Sequence, residues 1–202
     1  MNAPYHREDE LRRRINAFIR SAFDLPDDDY YARLDLKHLL LVKSALSDIN
    51  NILTMRLTLG FLSWASKALS FDACSIQKLR DDVLMRKPSS NGYDIYCAGP
   101  IPFVAEVKCN IPINGGIKYG SAQRIGIMKD IGALLRGKSK AALIDEQSLR
   151  FMVFADLPEV RSANKHLLSS STITALGFQW LGDNEVPSNP AVVCGVYATL
   201  EA

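Results

Sequence analysis

Two stretches in the first third of the chain repeat apolar residues at helical spacing. Within residues 8–23, apolar side chains recur three or four positions apart, which predicts an amphipathic helix: Leu11, Ile15, Phe18, Ile19 and Ala22. A longer apolar-periodic region, residues 34–69, predicts one or two helices, with Gly60 as a candidate for a kink or division. Its seven-residue spacing favours a core role, with dimer packing as the alternative, for Leu39, Leu46 and Leu53.

After Phe71 the pattern changes to short apolar runs separated by turn residues. These runs predict strands over residues 93–98, 101–109, 149–155, 178–181 and 192–200, with 83–85 as a candidate for an earlier strand. The first two form a hairpin around Gly99-Pro100, and helical spacing predicts helices over 121–136 and 159–176. Strands that alternate with helices indicate an α/β domain with a mixed β-sheet flanked by helices.

Length and composition are those of one globular domain. The 202 residues are 48% hydrophobic and 23% charged, and we expect a single domain with a helical N-terminal part, 1–70, and an α/β core, 71–202. The polar N-terminus does not resemble a signal peptide, and charged residues interrupt the most apolar stretch, Ile52 to Leu69. We therefore expect a cytoplasmic protein without a membrane partner.

The four cysteines point away from a zinc site. They form no CxxC pair, and we expect free thiols in a reducing compartment: Cys74, Cys97, Cys109 and Cys194. The net charge of +2 excludes a strongly basic nucleic-acid coat, so that any contact with nucleic acid must use a local cluster of positive charge.

The predicted hairpin carries the polar residues that suggest chemistry. Alternate side chains of a strand share a face, so that Glu106 and Lys108 are neighbours, while the other face takes Phe103, Ala105, Val107 and Cys109. Asp94, near the start of the preceding strand, comes beside Glu106 when the hairpin forms. Two carboxylates and one ammonium therefore converge at one edge of the sheet.

This set of groups suits metal-assisted cleavage of a phosphodiester. Carboxylate oxygens are the ligands that Mg²⁺ prefers, and the backbone carbonyl of Val107 could complete the set from Asp94 and Glu106. Such a metal polarises the phosphoryl oxygen and lowers the pKa of a bound water. Lys108 would orient the attacking water and stabilise the charge of the transition state.

In these three positions the chain resembles the PD-(D/E)XK nuclease superfamily, to which many restriction endonucleases belong. Asp94, Glu106 and Lys108 match the motif, although Tyr93 stands in place of the proline before the acid. The resemblance implies a restriction-endonuclease-like core of αβββαβ order and a Mg²⁺-dependent endonuclease, with Mn²⁺ able to substitute. It also implies double-stranded DNA as substrate.

The family often has two further polar residues. One is a polar residue on the helix after the motif; Gln123 matches it and would act beside the catalytic residues, with an ordinary helix surface position as the alternative. The other is an acid on the helix before the sheet, for which the sequence offers three candidates: Asp48, Asp81 and Asp82.

Positive charge is concentrated downstream of the motif. The segment 118–140 contains six basic residues and one acid, and Lys118 and Arg124 are the candidates for contacts with the phosphate backbone. A solvated helix face is the alternative explanation. A cut through both strands of a duplex needs two sites, so we expect a homodimer.

Two other functions compete with the nuclease. Residues 132–139 match the phosphate-loop pattern GxxxxGK[ST] of P-loop NTPases, but helical spacing runs into them, and Gly137 is better explained as a helix C-cap with Lys138 and Lys140 at the negative helix end. The second alternative is a non-catalytic, nuclease-like module that binds nucleic acid or a protein.

Overall fold

The computed structural model of the chain describes residues 5–87, 92–112, 117–138, 141, 145–168, 177–182 and 185–201. Contacts divide the chain into two compact units, Met1–Ile49 and Asn50–Ala202. The second unit contains the whole sheet and the candidate site, so residues from Asn50 onward of the long second helix belong with it.

Five α-helices lie in the described residues: α1 Arg7–Phe23, α2 Leu36–Ala68, α3 Ala73–Met85, α4 Ser121–Arg136 and α5 Pro158–Leu168. The predictions of α1 and α4 are confirmed, as is the start of α5, and of the one or two helices expected over residues 34–69 the structure has one, α2. Residues 169–176 lie outside the described part. Gly60 does not divide α2, which is one helix from Leu36 to Ala68. A Cβ at this position would lie 1.8 Å from the carbonyl oxygen of Thr199. The glycine is required by this close approach of two backbones.

Helix α3 was not predicted, and the expected strand over 83–85 is wrong because these residues form its last turn. The Asp72 side chain accepts a hydrogen bond from the Ser75 amide at 2.9 Å and caps the helix. Ile76, Leu79 and Val83 then pack on the core at helical spacing. Three apolar residues in a row, Val83 to Met85, resembled a strand because a run so short has no clear period.

The sheet contains five strands: β1 Ile95–Cys97, β2 Phe103–Lys108, β3 Leu149–Ala155, β4 Phe178–Trp180 and β5 Val193–Ala198. Their order is β1-β2-β3-β5-β4, with β1 antiparallel to β2 and the other neighbours parallel. The five predicted strands, the hairpin and the α/β class with a mixed sheet are confirmed. The expected αβββαβ order is wrong in one strand, because the described chain has two strands between α3 and α4.

Helices cover both faces of the sheet. Phe103, Ala105 and Val107 of β2 pack into one cluster with α2 and α3, while Val104 packs into a second cluster with α4 and α5. The predicted alternation along β2 is therefore confirmed, and Glu106 and Lys108 point to the α4 side. No described helix combines the length and apolarity needed to span a bilayer.

The leucine face of α2 is less buried than expected. Neither core cluster includes Leu39, Leu46 or Leu53, and Leu46 is 53% exposed. The buried part of α2 begins at Leu57. The expected core role of this face is wrong, because a seven-residue repeat is also the pattern of a helix surface that another helix could cover.

Candidate active site

The hairpin brings Asp94 to Glu106 as predicted. Ile95 of β1 is paired with Ala105 of β2, so Asp94, one residue before β1, lies opposite Glu106. The Asp94 Oδ2 accepts a hydrogen bond from the backbone N–H of Val107 at 2.7 Å. An amide and a carbonyl of the same strand residue point to the same side, so the Val107 carbonyl also faces Asp94.

Glu106 is the most deeply buried charged residue of the site, with 6% of its surface exposed. Burial, and to a smaller extent the negative charge of Asp94, raise its pKa to about 7, although the hydrogen bond from Lys138 lowers it. Its Oε1 lies 2.5 Å from the Lys138 Nζ. At neutral pH this carboxyl therefore gives up its proton far less readily than an ordinary glutamate.

Burial also raises the pKa of Asp94. The hydrogen bond from the Val107 amide and the charges of Lys108 and Lys138 oppose the effect, while the charge of Asp130 adds to it. No lysine or arginine forms an ion pair with Asp94 among the described residues, whose ion pairs involve other acids. Asp94 is thus a half-buried carboxylate that, among the described residues, accepts its hydrogen bond from a backbone amide and has no ion-pair partner.

Lys108 does not pair with Glu106. Its Nζ forms an ion pair with Oδ2 of Asp130 on α4, and about one fifth of each of the two side chains is exposed, 19% and 21%. The motif lysine is therefore on the predicted face, beside the carboxylates, but is held by a residue of the next helix.

Asp94, Glu106 and Lys108 form a charged cluster with Asp130 and Lys138. Sequence reasoning missed the last two residues. Asp130 lies next to the buried stripe of α4, formed by Ile127, Ile131 and Leu134, and an acid at the border of an apolar stripe was a signal that it faces the sheet. Lys138 follows the helix C-cap Gly137, where the chain changes direction. The position of a side chain after such a turn cannot be predicted from the sequence pattern.

Gln123 holds the start of α4. Its Oε1 accepts a hydrogen bond from the Gly120 amide at 3.0 Å, and its Nε2 donates to the Ile111 carbonyl at 2.9 Å. Both ends of the amide thus bind backbone, which favours a structural role over the expected place beside the catalytic residues.

The expected nucleic-acid ligands Lys118 and Arg124 are exposed at the start of α4. Lys140, another member of the predicted basic cluster, lies outside the described residues. The three candidates for an additional acid, Asp48, Asp81 and Asp82, are exposed helix residues, and Asp81 accepts a hydrogen bond from Gln77.

The phosphate-loop pattern has a helical explanation. Residues 132–136 belong to α4, and the Gly137 N–H donates to the Ala133 carbonyl at 2.9 Å. Gly137 has a φ of 87° and caps the helix, as predicted. Bulky helical residues cannot wrap a phosphate with their amides, so this geometry opposes the P-loop NTPase.

The donor set fits a hard divalent cation. In the described residues no three His, Cys, Asp or Glu side chains form a ready-made metal cluster. Mg²⁺ does not need one, because it is commonly held by one or two carboxylates and keeps several waters. The Asp94 and Glu106 carboxylates, with the Val107 carbonyl, could therefore bind Mg²⁺.

No family model, curated protein or solved structure matches this chain in comparisons of its sequence and fold. The resemblance to the PD-(D/E)XK nucleases therefore rests on the three motif residues and their geometry.

Proposed function

We propose that the chain is a Mg²⁺-dependent endonuclease that hydrolyses phosphodiester bonds of double-stranded DNA, of the restriction type. The observation that carries the proposal is the pair of carboxylates, Asp94 and Glu106, held together at a sheet edge where burial raises the pKa of both. A buried acid beside a half-buried one is costly without a cation, and perturbed acids of this kind cluster at functional sites.

Each residue has a chemical role in this proposal. Asp94 and Glu106 would hold the metal, with the Val107 carbonyl as a third ligand. When bound, Mg²⁺ supplies a polarised phosphoryl oxygen and an activated water. Lys108 lies beside these groups and is partly exposed, so that its ammonium can exchange Asp130 for the phosphate oxygens.

A groove beside Asp94 offers a path for the substrate. It has a volume of about 430 Å³ and lies between α2, the end of α3 and the residues before β1. Arg86 and Lys87 line it, and the Arg86 Nη1 donates to the carbonyls of Tyr93, at 2.6 Å, and Asp94, at 3.1 Å. Cations next to Asp94 suit a polyanion, and Lys118 and Arg124, which lie outside this groove, would add contacts to its phosphates.

We further propose a homodimer, because two sites are needed to cut both strands. The first half of α2 supports an interaction surface, since it exposes several large apolar side chains: Leu36, Leu40, Leu41, Val42, Leu46 and Ile49. The cytoplasm is the proposed location; the four cysteines, all free thiols, fit its reducing conditions.

A non-catalytic module remains the second candidate, and one observation favours it. Lysines already pair with two of the three acids of the cluster, Glu106 and Asp130. A cluster that balances most of its own charge needs a cation less than an unpaired one does.

Cleavage of plasmid DNA separates the two candidates. We expect the wild type to cut in Mg²⁺ and not in EDTA, and Asp94→Asn, which removes the charge but keeps the size of the side chain, to lose at least about a hundredfold in rate. Glu159→Gln, at an exposed position of α5, is the matched control and should cut like the wild type. Wild type and Asp94→Asn with equal rates would refute the nuclease and leave the binding module.

A further inference from the structure

The lysine of the rejected phosphate-loop pattern has a defined place in the structure. Gly137 ends α4 with a positive φ and turns the chain toward β1, where the Lys138 N–H donates to the Tyr93 hydroxyl at 3.0 Å. The Lys138 Nζ donates to the Gly92 carbonyl at 2.7 Å and to Glu106 at 2.5 Å. It also lies 5.1 Å from the centre of the Tyr93 ring.

These contacts make Lys138 the counter-ion of Glu106. Only 7% of the Glu106 side chain is exposed, so its charge has little access to water, whereas 26% of the Lys138 side chain is exposed. A buried carboxylate without a partner is strongly disfavoured, and the ammonium supplies the missing charge. The more exposed partner, Lys138, is the one that can leave for solvent.

The same carboxylate is a proposed metal ligand. An ammonium within hydrogen-bond distance of Oε1 occupies an electron pair that a divalent ion would use, and the two cations repel each other at such a distance. Lys108 does not compete in this way, because its ion pair is with Asp130.

We propose that Lys138 is the exchangeable counter-cation of Glu106, so that its ion pair and a bound divalent metal exclude each other and Lys138 sets the metal affinity of the site. Lys138 is then a positioning residue, which keeps Glu106 in place until the metal arrives. This inference rests on the proposed function, because it takes Glu106 as a metal ligand.

Direct metal binding tests the inference without cleavage. Mn²⁺ binding to the full chain is measured by calorimetry at pH 8, in the absence of DNA, for the wild type and for Lys138→Gln. An opposite charge this close to a carboxylate changes the equilibrium constant for binding a cation there by about tenfold or more. Lys138→Gln should therefore bind Mn²⁺ about tenfold more tightly. Lys138→Arg keeps the positive charge and should restore an affinity near that of the wild type.

Lys129→Gln is the matched control. Lys129 is an exposed lysine of α4, and loss of its screened charge should leave the Mn²⁺ affinity unchanged. Circular dichroism and a cooperative unfolding transition in EDTA establish that each variant is folded.

The outcomes separate this inference from the nuclease proposal. An unchanged or weaker Mn²⁺ affinity of folded Lys138→Gln would overturn the exchange, while a wild type that binds Mn²⁺ would leave the metal site standing. If neither the wild type nor Lys138→Gln binds Mn²⁺, both the exchange and the metal site are overturned. Tighter binding by Lys138→Gln alone supports both.

Discussion

Removal of the Glu106 charge should stabilise the metal-free protein while it abolishes activity. The pKa of Glu106 is raised from an ordinary 4.5 to about 7 by burial and by Asp94. A carboxyl with a raised pKa binds its proton more tightly in the folded state than in the unfolded one. The folded state therefore loses stability as the pH rises from 4.5 through 7, and the cost is constant above that range.

The magnitude follows from the two pKa values. A raise from 4.5 to about 7 corresponds to about 3 kcal/mol of unfolding free energy at pH 8, and to about 1 kcal/mol at pH 5, because pH 5 lies only slightly above the pKa of the unfolded state. Glu106→Gln replaces the carboxyl with an amide of the same shape that never ionises. Its oxygen can still accept a hydrogen bond from Lys138, whose charge is partly exposed to water.

Urea unfolding in EDTA measures this difference. At pH 8 we expect Glu106→Gln to be more stable than the wild type by about 2–3 kcal/mol, and at pH 5 the two should differ by about 1 kcal/mol or less. Glu159→Gln removes an exposed charge and should follow the wild type at both pH values. A Glu106→Gln protein less stable than the wild type at pH 8 would show that the Lys138 ion pair outweighs the burial cost, contrary to the reasoning above.

Three further predictions concern the groove and the fold. In binding of a fluorescent duplex in Ca²⁺ without cleavage, Lys87→Glu at the groove should weaken affinity about tenfold, and the exposed control Lys67→Glu should not; equal effects would argue against the groove. Gly60→Ala should destabilise the protein by about 3 kcal/mol or more in urea, because its Cβ would meet a backbone carbonyl at 1.8 Å; a change below about 1 kcal/mol would mean that the two segments separate easily. Arg80 holds the pKa of Glu201 at about 2, so this pair adds stability above pH 4.5 that is lost as the pH falls toward 2; Glu201→Gln should cost about 1 kcal/mol at pH 7 and nothing at pH 2, and thermal unfolding at both pH values checks it.

The parts of the site that depend on neighbouring residues could be predicted from the sequence. Alternation along β2 placed Glu106 and Lys108 on one face, and the Gly99-Pro100 turn placed Asp94 opposite Glu106. Both follow from the two-residue period of a strand and from a short hairpin connection. The same local logic predicted α4 with its observed ends, since its apolar stripe is long and its C-cap is a glycine.

The partners of these side chains could not be predicted, because they come from a different layer of the fold. A lysine side chain reaches about 6 Å, which is enough for Lys108 to meet either Glu106 or Asp130. Which acid it meets depends on how α4 crosses the sheet, and this crossing is decided by packing of Ile127, Ile131 and Leu134 rather than by the motif.

The acids of the charged cluster differ in whether a lysine pairs with them, and the motif alone does not predict this difference. Three acids, Asp94, Glu106 and Asp130, meet two lysines, Lys108 and Lys138, and each lysine pairs with a different acid. Among the described residues Asp94 has no ion-pair partner and accepts a hydrogen bond from a backbone amide, although burial disfavours its charge. A cation is therefore attracted first to Asp94 and can reach Glu106 only as Lys138 withdraws. If this order is correct, Asp94→Asn should weaken Mn²⁺ binding even in a Lys138→Gln background, because loss of the lysine cannot replace the first point of attachment.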